Sequence, residues 1–301
     1  MESSDVFDGV ITLETTLLRG WSNINILGHS SDIDFVLKLP YTLPPHKRNY
    51  YQHLHDVSQF FAKFDITSKP LEIGSLSDRT ETPFIIFEFI HGDVHNSIKD
   101  LSNLDLRHLS ECLDLMSRQK PLGLETYNSP SDFLQRCHFV IQNHEGLSKC
   151  SRETSMLVES YEELFVGVQS KTGPLGSWSS TIMHGDLWVP NIVLQPDRAF
   201  LLDFESCAYG NRLYDFAYLL ETPDVPLDTL VLDGLLHPAE KAEVDALRSL
   251  AISFIICWSL ERLLLMESGL VEPNLNTPEA HSSVETYTRS KISRLRELIA
   301  I

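Results

Sequence analysis

Two apolar runs, Asn191-Ile192-Val193-Leu194 and Ala199-Phe200-Leu201-Leu202-Asp203, constrain this 301-residue chain more than any other stretch. Gln195-Pro196-Asp197-Arg198 joins them, with Pro at the second position of a turn and Asp behind it, so the pair predicts a tight β-hairpin. Folded that way, Asn191 stands opposite Leu202 or Asp203. Directly opposed residues have Cβ atoms about 5 Å apart, close enough for two oxygen-bearing side chains to share one hard cation. The rest of the hairpin is apolar, as a buried strand pair must be. Polar groups confined to its open end call for a functional explanation.

Upstream lies His184-Gly185-Asp186-Leu187-Trp188, which sets Asp186 five residues before Asn191. The chain carries its own control. His91-Gly92-Asp93 repeats the tripeptide, but the fifth residue after Asp93 is Ile98, with no hairpin and no partner Asp, and it reads as a linker. An Asp, an Asn and a second Asp in this order suit magnesium-dependent phosphoryl transfer. Such a site needs one carboxylate to receive a hydroxyl proton, and an amide oxygen and another carboxylate to hold the metal. The interval from Asp186 to Asn191 is that of the protein-kinase catalytic loop.

On these residues, and on Leu201-Leu202-Asp203-Phe204-Glu205, Gly210 and Tyr214-Asp215-Phe216-Ala217, the sequence resembles the aminoglycoside phosphotransferase and choline kinase family of protein-kinase-like small-molecule kinases. The resemblance is specific over about residues 180–217 and weaker toward the N-terminus. It implies an α+β, two-lobe protein-kinase-like fold with Asp186 as catalytic base and Asn191 and Asp203 as metal ligands. It also implies transfer of the γ-phosphoryl group of ATP, with Mg2+, to a hydroxyl of a small molecule such as an amino sugar or amino alcohol.

Acidic residues outnumber basic ones by 42 to 24, giving a net charge of −18. A surface so negative repels polyphosphate backbones, which argues against a nucleic-acid partner and suits a cationic acceptor. Five cysteines without a C-x-x-C spacing suggest neither a zinc site nor a disulfide framework, and accord with a reducing cytoplasm. The N-terminus lacks the basic start and apolar run of a signal peptide. Leu250 to Leu260 is the greasiest stretch, but it falls short of the roughly 20 residues that span a bilayer, so it reads as a buried helix and no membrane association is expected. The oligomeric state is not legible.

Short apolar runs at Val10–Leu18, Ile24–Leu27 and Ile33–Leu39 predict an antiparallel meander. A helix over about 45–64 follows, with Leu54, Val57, Phe60 and Phe61 on one face. Two more strands are expected at Pro70–Ile73 and Phe84–Ile90, then helices at about 103–118, 130–144, 152–170, 212–221, 239–267 and 278–299. The predicted boundary lies near His91, giving a β-rich nucleotide-binding lobe over 1–90 and a helical lobe with catalytic and acceptor sites over 91–301.

Lys38 lies within the apolar strand Asp34–Leu39, where an ammonium is costly unless it meets an anion such as a triphosphate oxygen. The Gly20–Asn23 loop, with Ser22, permits close backbone approach to phosphates. Residues from Glu88 to Ile90 would act as the hinge that bonds adenine through its backbone. Kinase-like enzymes pair the strand lysine with a helix glutamate. The helix at 45–64 has no Glu, leaving Asp56, Glu72 or another arrangement. Glu205, two residues past Asp203 on the expected strand face, is placed to serve the metal or a cationic substrate. Trp188, Tyr214, Tyr218 and Trp258 are candidates for an aromatic acceptor surface, and Asp215 for either a substrate or a structural role. The missing helix Glu keeps a second reading open, a nucleotide-binding pseudokinase.

Overall fold

Runs in which every second residue is apolar become strands at the N-terminus. In the computed structural model, which describes residues 11–18, 23–42, 50–76, 81–178, 180–221, 227–273 and 275–300, these are β1 (Thr12–Leu18), β2 (Asn23–His29) and β3 (Asp34–Pro40). They pair antiparallel as the predicted meander. Helix α1 (Tyr50–Ala62) buries Tyr51, Leu54, Val57 and Phe61 on one face. The predicted start at 45–49 lies outside the described residues. The helix ends at Ala62, before the left-handed backbone of Asp65 (φ +55°). Strands β4 (Pro70–Ser75) and β5 (Pro83–Glu88) complete a five-stranded sheet in the order β1-β2-β3-β5-β4. Strand β5 stops two residues short of its predicted end. One residue further, the Phe89 amide still bonds the Asp34 carbonyl opposite it, at 2.8 Å. Phe35, Leu37, Phe84 and Ile86 pack on one face of this sheet. By strand alternation, Lys38 points to the other.

The predicted helices follow as α2 (Asn103–Ser117), α3 (Pro130–Gln142) and α4 (Arg152–Thr172). Each begins at a serine, Ser102, Ser129 or Ser151, whose hydroxyl accepts an amide of the first turn. Then come β6 (Thr181–Met183), β7 (Ile192–Gln195), β8 (Arg198–Leu201), β9 (Ala208–Gly210) and α5 (Leu213–Leu220). Helices α6 (Pro238–Glu267) and α7 (Pro278–Ala300) close the chain. By length and composition alone α6 could cross a membrane, but 72% of its apolar window is buried inside the protein. It is the central core helix, as the sequence suggested. All five cysteines are free thiols.

The chain forms two compact units. One comprises Met1–Val94 and Asn191–Glu205, the other His95–Pro190 and Ser206–Ile301. The division is therefore not one cut near His91, because the β7–β8 hairpin belongs with the N-terminal sheet. Its edges explain why. The Leu201 amide bonds the Ile66 carbonyl just after α1, and Leu194 exchanges two hydrogen bonds of 2.9 Å with Asp93. The first His-Gly-Asp copy is thus a short strand-like strap on β7 and not a plain linker. A Cβ at Gly92 would lie 2.6 Å from the Leu194 carbonyl oxygen, so glycine permits the approach.

Candidate active site

Hairpin register decides how the polar end is built. Ile192 pairs with Leu201 and Gln195 with Arg198 across the Pro196-Asp197 turn. The Leu202 amide then donates to the Asn191 carbonyl at 2.8 Å, so Asn191 stands opposite Leu202 and next to Asp203, as predicted. Asp203 has φ +68°, the left-handed region that Asp tolerates better than most residues. This bend ends the strand and places the carboxylate Oδ1 2.8 Å from the Lys38 Nζ. Behind it Phe204 is fully buried and stacks on Phe61 of α1, with ring centroids 4.8 Å apart.

Lys38 is only 8% exposed, and its ammonium is satisfied by Asp203 and by the Phe87 ring at 5.9 Å. Neither Asp56 nor Glu72 takes the place of the absent helix glutamate; Asp56 bonds Gln52 and His55 on the surface of α1. Tyr51 lies on the buried face of α1, and its hydroxyl donates to Asn23 Oδ1 at 2.9 Å. Burial, and then the negative charge of Asp203, push its phenol well above the ordinary value. Sequence reasoning missed Tyr51. Its recurrence with Leu54, Val57 and Phe61 was the available signal.

Asn191 and Asp203 together offer an amide oxygen and a carboxylate, hard donors of the kind magnesium takes in ones and twos alongside phosphate oxygens. Among the described residues no group of three or more His, Cys, Asp or Glu is placed to hold a metal. The donor set fits magnesium. Glu205 lies in a 3-10 turn, Phe204–Ser206, and not on the expected strand face, because the bend at Asp203 ends β8 first. Its Oε2 is buried without a hydrogen-bond partner. Of the hinge pair, Glu88 is already engaged. Its amide donates to the Lys69 carbonyl at 2.9 Å and its carbonyl accepts the Ser68 hydroxyl. Ile90 lies two residues past the end of β5. Ser22 lies outside the described residues.

In the helical unit, β6 pairs with β9 and so brackets the loop that carries Asp186. Gly185 has φ +85°, and a Cβ there would lie 2.2 Å from the Ser206 carbonyl oxygen, so no other residue fits. His184 is fully buried, and its Nδ1 accepts the Asp186 amide at 3.4 Å, a supporting role. The loop's backbone is held by Asp215 on the first turn of α5. Its Oδ2 accepts the His184 amide at 2.8 Å and its Oδ1 the Gly185 amide at 2.9 Å. At 1% exposure, with both oxygens occupied, Asp215 is a loop anchor and not a substrate contact, which corrects the substrate alternative. Burial pushes its carboxyl up to about 7, with the two amides pulling it down and Asp186 adding to the rise. The Trp188 amide donates to the Asp186 carbonyl, closing the loop, and its ring is half-buried. Trp258 is half-buried on α6. Tyr214 and Tyr218 are buried on the same helix and so form no open aromatic surface; burial pushes the Tyr218 phenol up, with the negative charge of Asp186 adding to the rise.

A β-sheet unit and a mainly helical unit make up a kinase-like fold. The chain belongs to the phosphotransferase enzyme family, matched over residues 14–250. No curated protein matches it. Among solved structures it is similar to a choline/ethanolamine kinase family protein of Mesorhizobium loti, with TM-score 0.60, 15% identity and coverage of 96% of this chain and 88% of that one. An ethanolamine kinase of Plasmodium vivax gives TM-score 0.60 and 15% identity over 95% and 81%. The spectinomycin phosphotransferase APH(9)-Ia, solved with ADP and spectinomycin, gives 0.57 and 10% over 97% and 93%. At these identities the likeness is one of fold: the α+β, two-lobe, protein-kinase-like class that the sequence implied. The protein is a phosphotransferase.

Proposed function

We propose that the protein moves the γ-phosphoryl group of ATP to a hydroxyl of a small molecule, an amino sugar, an amino alcohol or a similar acceptor. The observation that carries the proposal is the buried Lys38–Asp203 pair at 2.8 Å, at the end of a hairpin that sets Asn191 beside it. In this reading Asp186 orients the acceptor hydroxyl and takes its proton as the new O–P bond forms and the β–γ bridge breaks. An Asp with an ordinary pKa of about 3.9 is a weak ground-state base, so the proton moves late. Asn191 and Asp203 hold the magnesium ion, which when bound neutralises phosphate charge. Lys38 exchanges part of its bond with Asp203 for a phosphate oxygen.

ADP in the spectinomycin phosphotransferase supports a nucleotide donor. The sheet unit with its hairpin would bind that donor, with Ile90 as the hinge residue. The helical unit would carry the base and the acceptor contacts, with Trp188 and Trp258 as candidate aromatic walls. A net charge of −18 and the unpaired Glu205 oxygen favour a cationic acceptor. Five free thiols accord with a cytoplasmic enzyme.

A nucleotide-binding pseudokinase is the second reading, favoured by helix α1, which carries no glutamate to pair Lys38. The deciding experiment is a metabolite-acceptor screen that follows ADP release from Mg-ATP, with GTP as competing donor. Turnover that needs an acceptor and vanishes in Asp203→Ala and Asp186→Asn supports the enzyme. Nucleotide binding without turnover against any acceptor supports the pseudokinase.

A further inference from the structure

Kinase-like sites divide two tasks between two carboxylates: a helix glutamate holds the strand lysine, and a separate Asp holds the metal. This chain lacks that division. Between Pro40 and Leu71 it carries no glutamate, and its carboxylates there are Asp56 and Asp65. Both are engaged on the surface, Asp56 with Gln52 and His55 of α1 and Asp65 with Arg198 of β8. Tyr51, on the buried face of α1, gives its hydroxyl to Asn23. Among the described residues Asp203 is therefore the carboxylate that Lys38 meets, with Oδ1 2.8 Å from the Nζ. Both members of the pair are held in place. The left-handed backbone at Asp203 and the seating of Phe204 on Phe61 fix the carboxylate, and the Phe87 ring lies 5.9 Å from the ammonium.

Magnesium stands about 2.1 Å from a carboxylate oxygen. On Asp203, with Lys38 still bonded there, it would lie within a few ångströms of the ammonium. The side chains of the pair are only 10% and 19% exposed, so water screens that like-charge repulsion poorly. The two cations exclude one another. We propose that Lys38 is a resident competitor for the metal position: its ammonium closes Asp203 to a free divalent cation, and the phosphates of a bound nucleotide open it by drawing the ammonium away. This rests on Asn191 and Asp203 being the metal ligands. The site thus takes its metal together with nucleotide and not before it. By linkage, the factor by which nucleotide tightens metal binding is also the factor by which metal tightens nucleotide binding.

Mn2+ stands in for Mg2+ in the test, because its EPR signal counts the free ion. Full-length wild type, Lys38→Met, Asp203→Asn and the double variant are titrated with Mn2+, each with and without ADP. The two proteins that carry Asp203→Asn measure the ions held loosely by a net charge of −18. Without nucleotide, Lys38→Met is expected to bind Mn2+ about tenfold more tightly than wild type. With ADP the gap closes, since wild type gains more from the nucleotide than the variant does. Removing a lysine that served packing alone would not raise metal affinity. Should Lys38→Met not fold, the wild-type ammonium is followed by NMR of its nitrogen, with Lys38→Arg to assign it. That signal should hold its position with Mg2+ alone and shift when ADP is added. Mn2+ held no more tightly by Lys38→Met than by wild type, or a Lys38 signal that shifts with Mg2+ alone, overturns the proposal. Mn2+ binding with ADP that is indifferent to Asp203→Asn overturns the metal-ligand assignment and the proposal with it, a result read without any change at Lys38.

Discussion

Asp215→Asn separates the two demands on the loop anchor, which are hydrogen bonding and ionisation. The displacement of its carboxyl from the ordinary 3.8 to about 7 corresponds to about 4 kcal/mol, caused first by burial. The folded-state pKa is raised, so this contribution to stability is complete below about 3.8 and is lost as pH rises through about 7. About 3 kcal/mol of the change falls between about pH 5 and about pH 8. Asparagine cannot ionise. Its amide oxygen accepts one of the two loop amides and its NH2 confronts the other, a pH-independent cost of about 1–3 kcal/mol. Thermal unfolding of wild type and variant across this range should therefore show curves that converge or cross. The difference should move in the variant's favour by about 5 °C toward alkaline pH. Parallel curves would refute the reasoning, because they would mean that the buried carboxylate titrates as it does in water.

Gly185→Ala should lower stability by about 3 kcal/mol or abolish folding, since a Cβ meets the Ser206 carbonyl at 2.2 Å and the backbone is left-handed; thermal melts check it. Lys38→Met and Asp203→Asn should each destabilise, and the double variant should recover part of the loss; urea unfolding should give a coupling energy of about 1–3 kcal/mol. Burial works to raise the Glu267 carboxyl, but the Ser151 amide and the Ser151, Thr154 and His281 side chains outweigh it and hold it below the usual range. That stability is present above the ordinary value of 4.5 and lost as pH falls through the lower folded one. The cost of Glu267→Ala, about 2 kcal/mol near neutrality, should thus fade in acid when measured by chemical denaturation.

Helix positions were legible because apolar periodicity acts locally: α6 and α7 lie within a residue or so of where the pattern put them. Hairpin register was legible to within one residue, since Pro196-Asp197 fixes the turn between the flanking runs. What escaped depends on tertiary contact. Asp203 turning into the left-handed region follows from Phe204 seating on Phe61, more than a hundred residues away in sequence, and no local signal announces it. Lys38 was singled out by the cost of burying an ammonium, but its partner could not be read from spacing. Tyr51 looked like one more apolar-face residue. The anchor role of Asp215 depends on where α5 sits against the loop. The first His-Gly-Asp copy looked inert because strand addition to β7 uses backbone, which sequence pattern does not mark.

The polypeptide passes between its two compact units three times, after Val94, Pro190 and Glu205. A protease cut at any one of these places leaves two covalent tethers, so the fragments would part only on denaturation. Recombination that swapped the first ninety-odd residues with a relative would import a sheet while the recipient kept its own Asn191 and Asp203. Inheritance of a working Lys38–Asp203 pair therefore requires two separated gene segments to travel together.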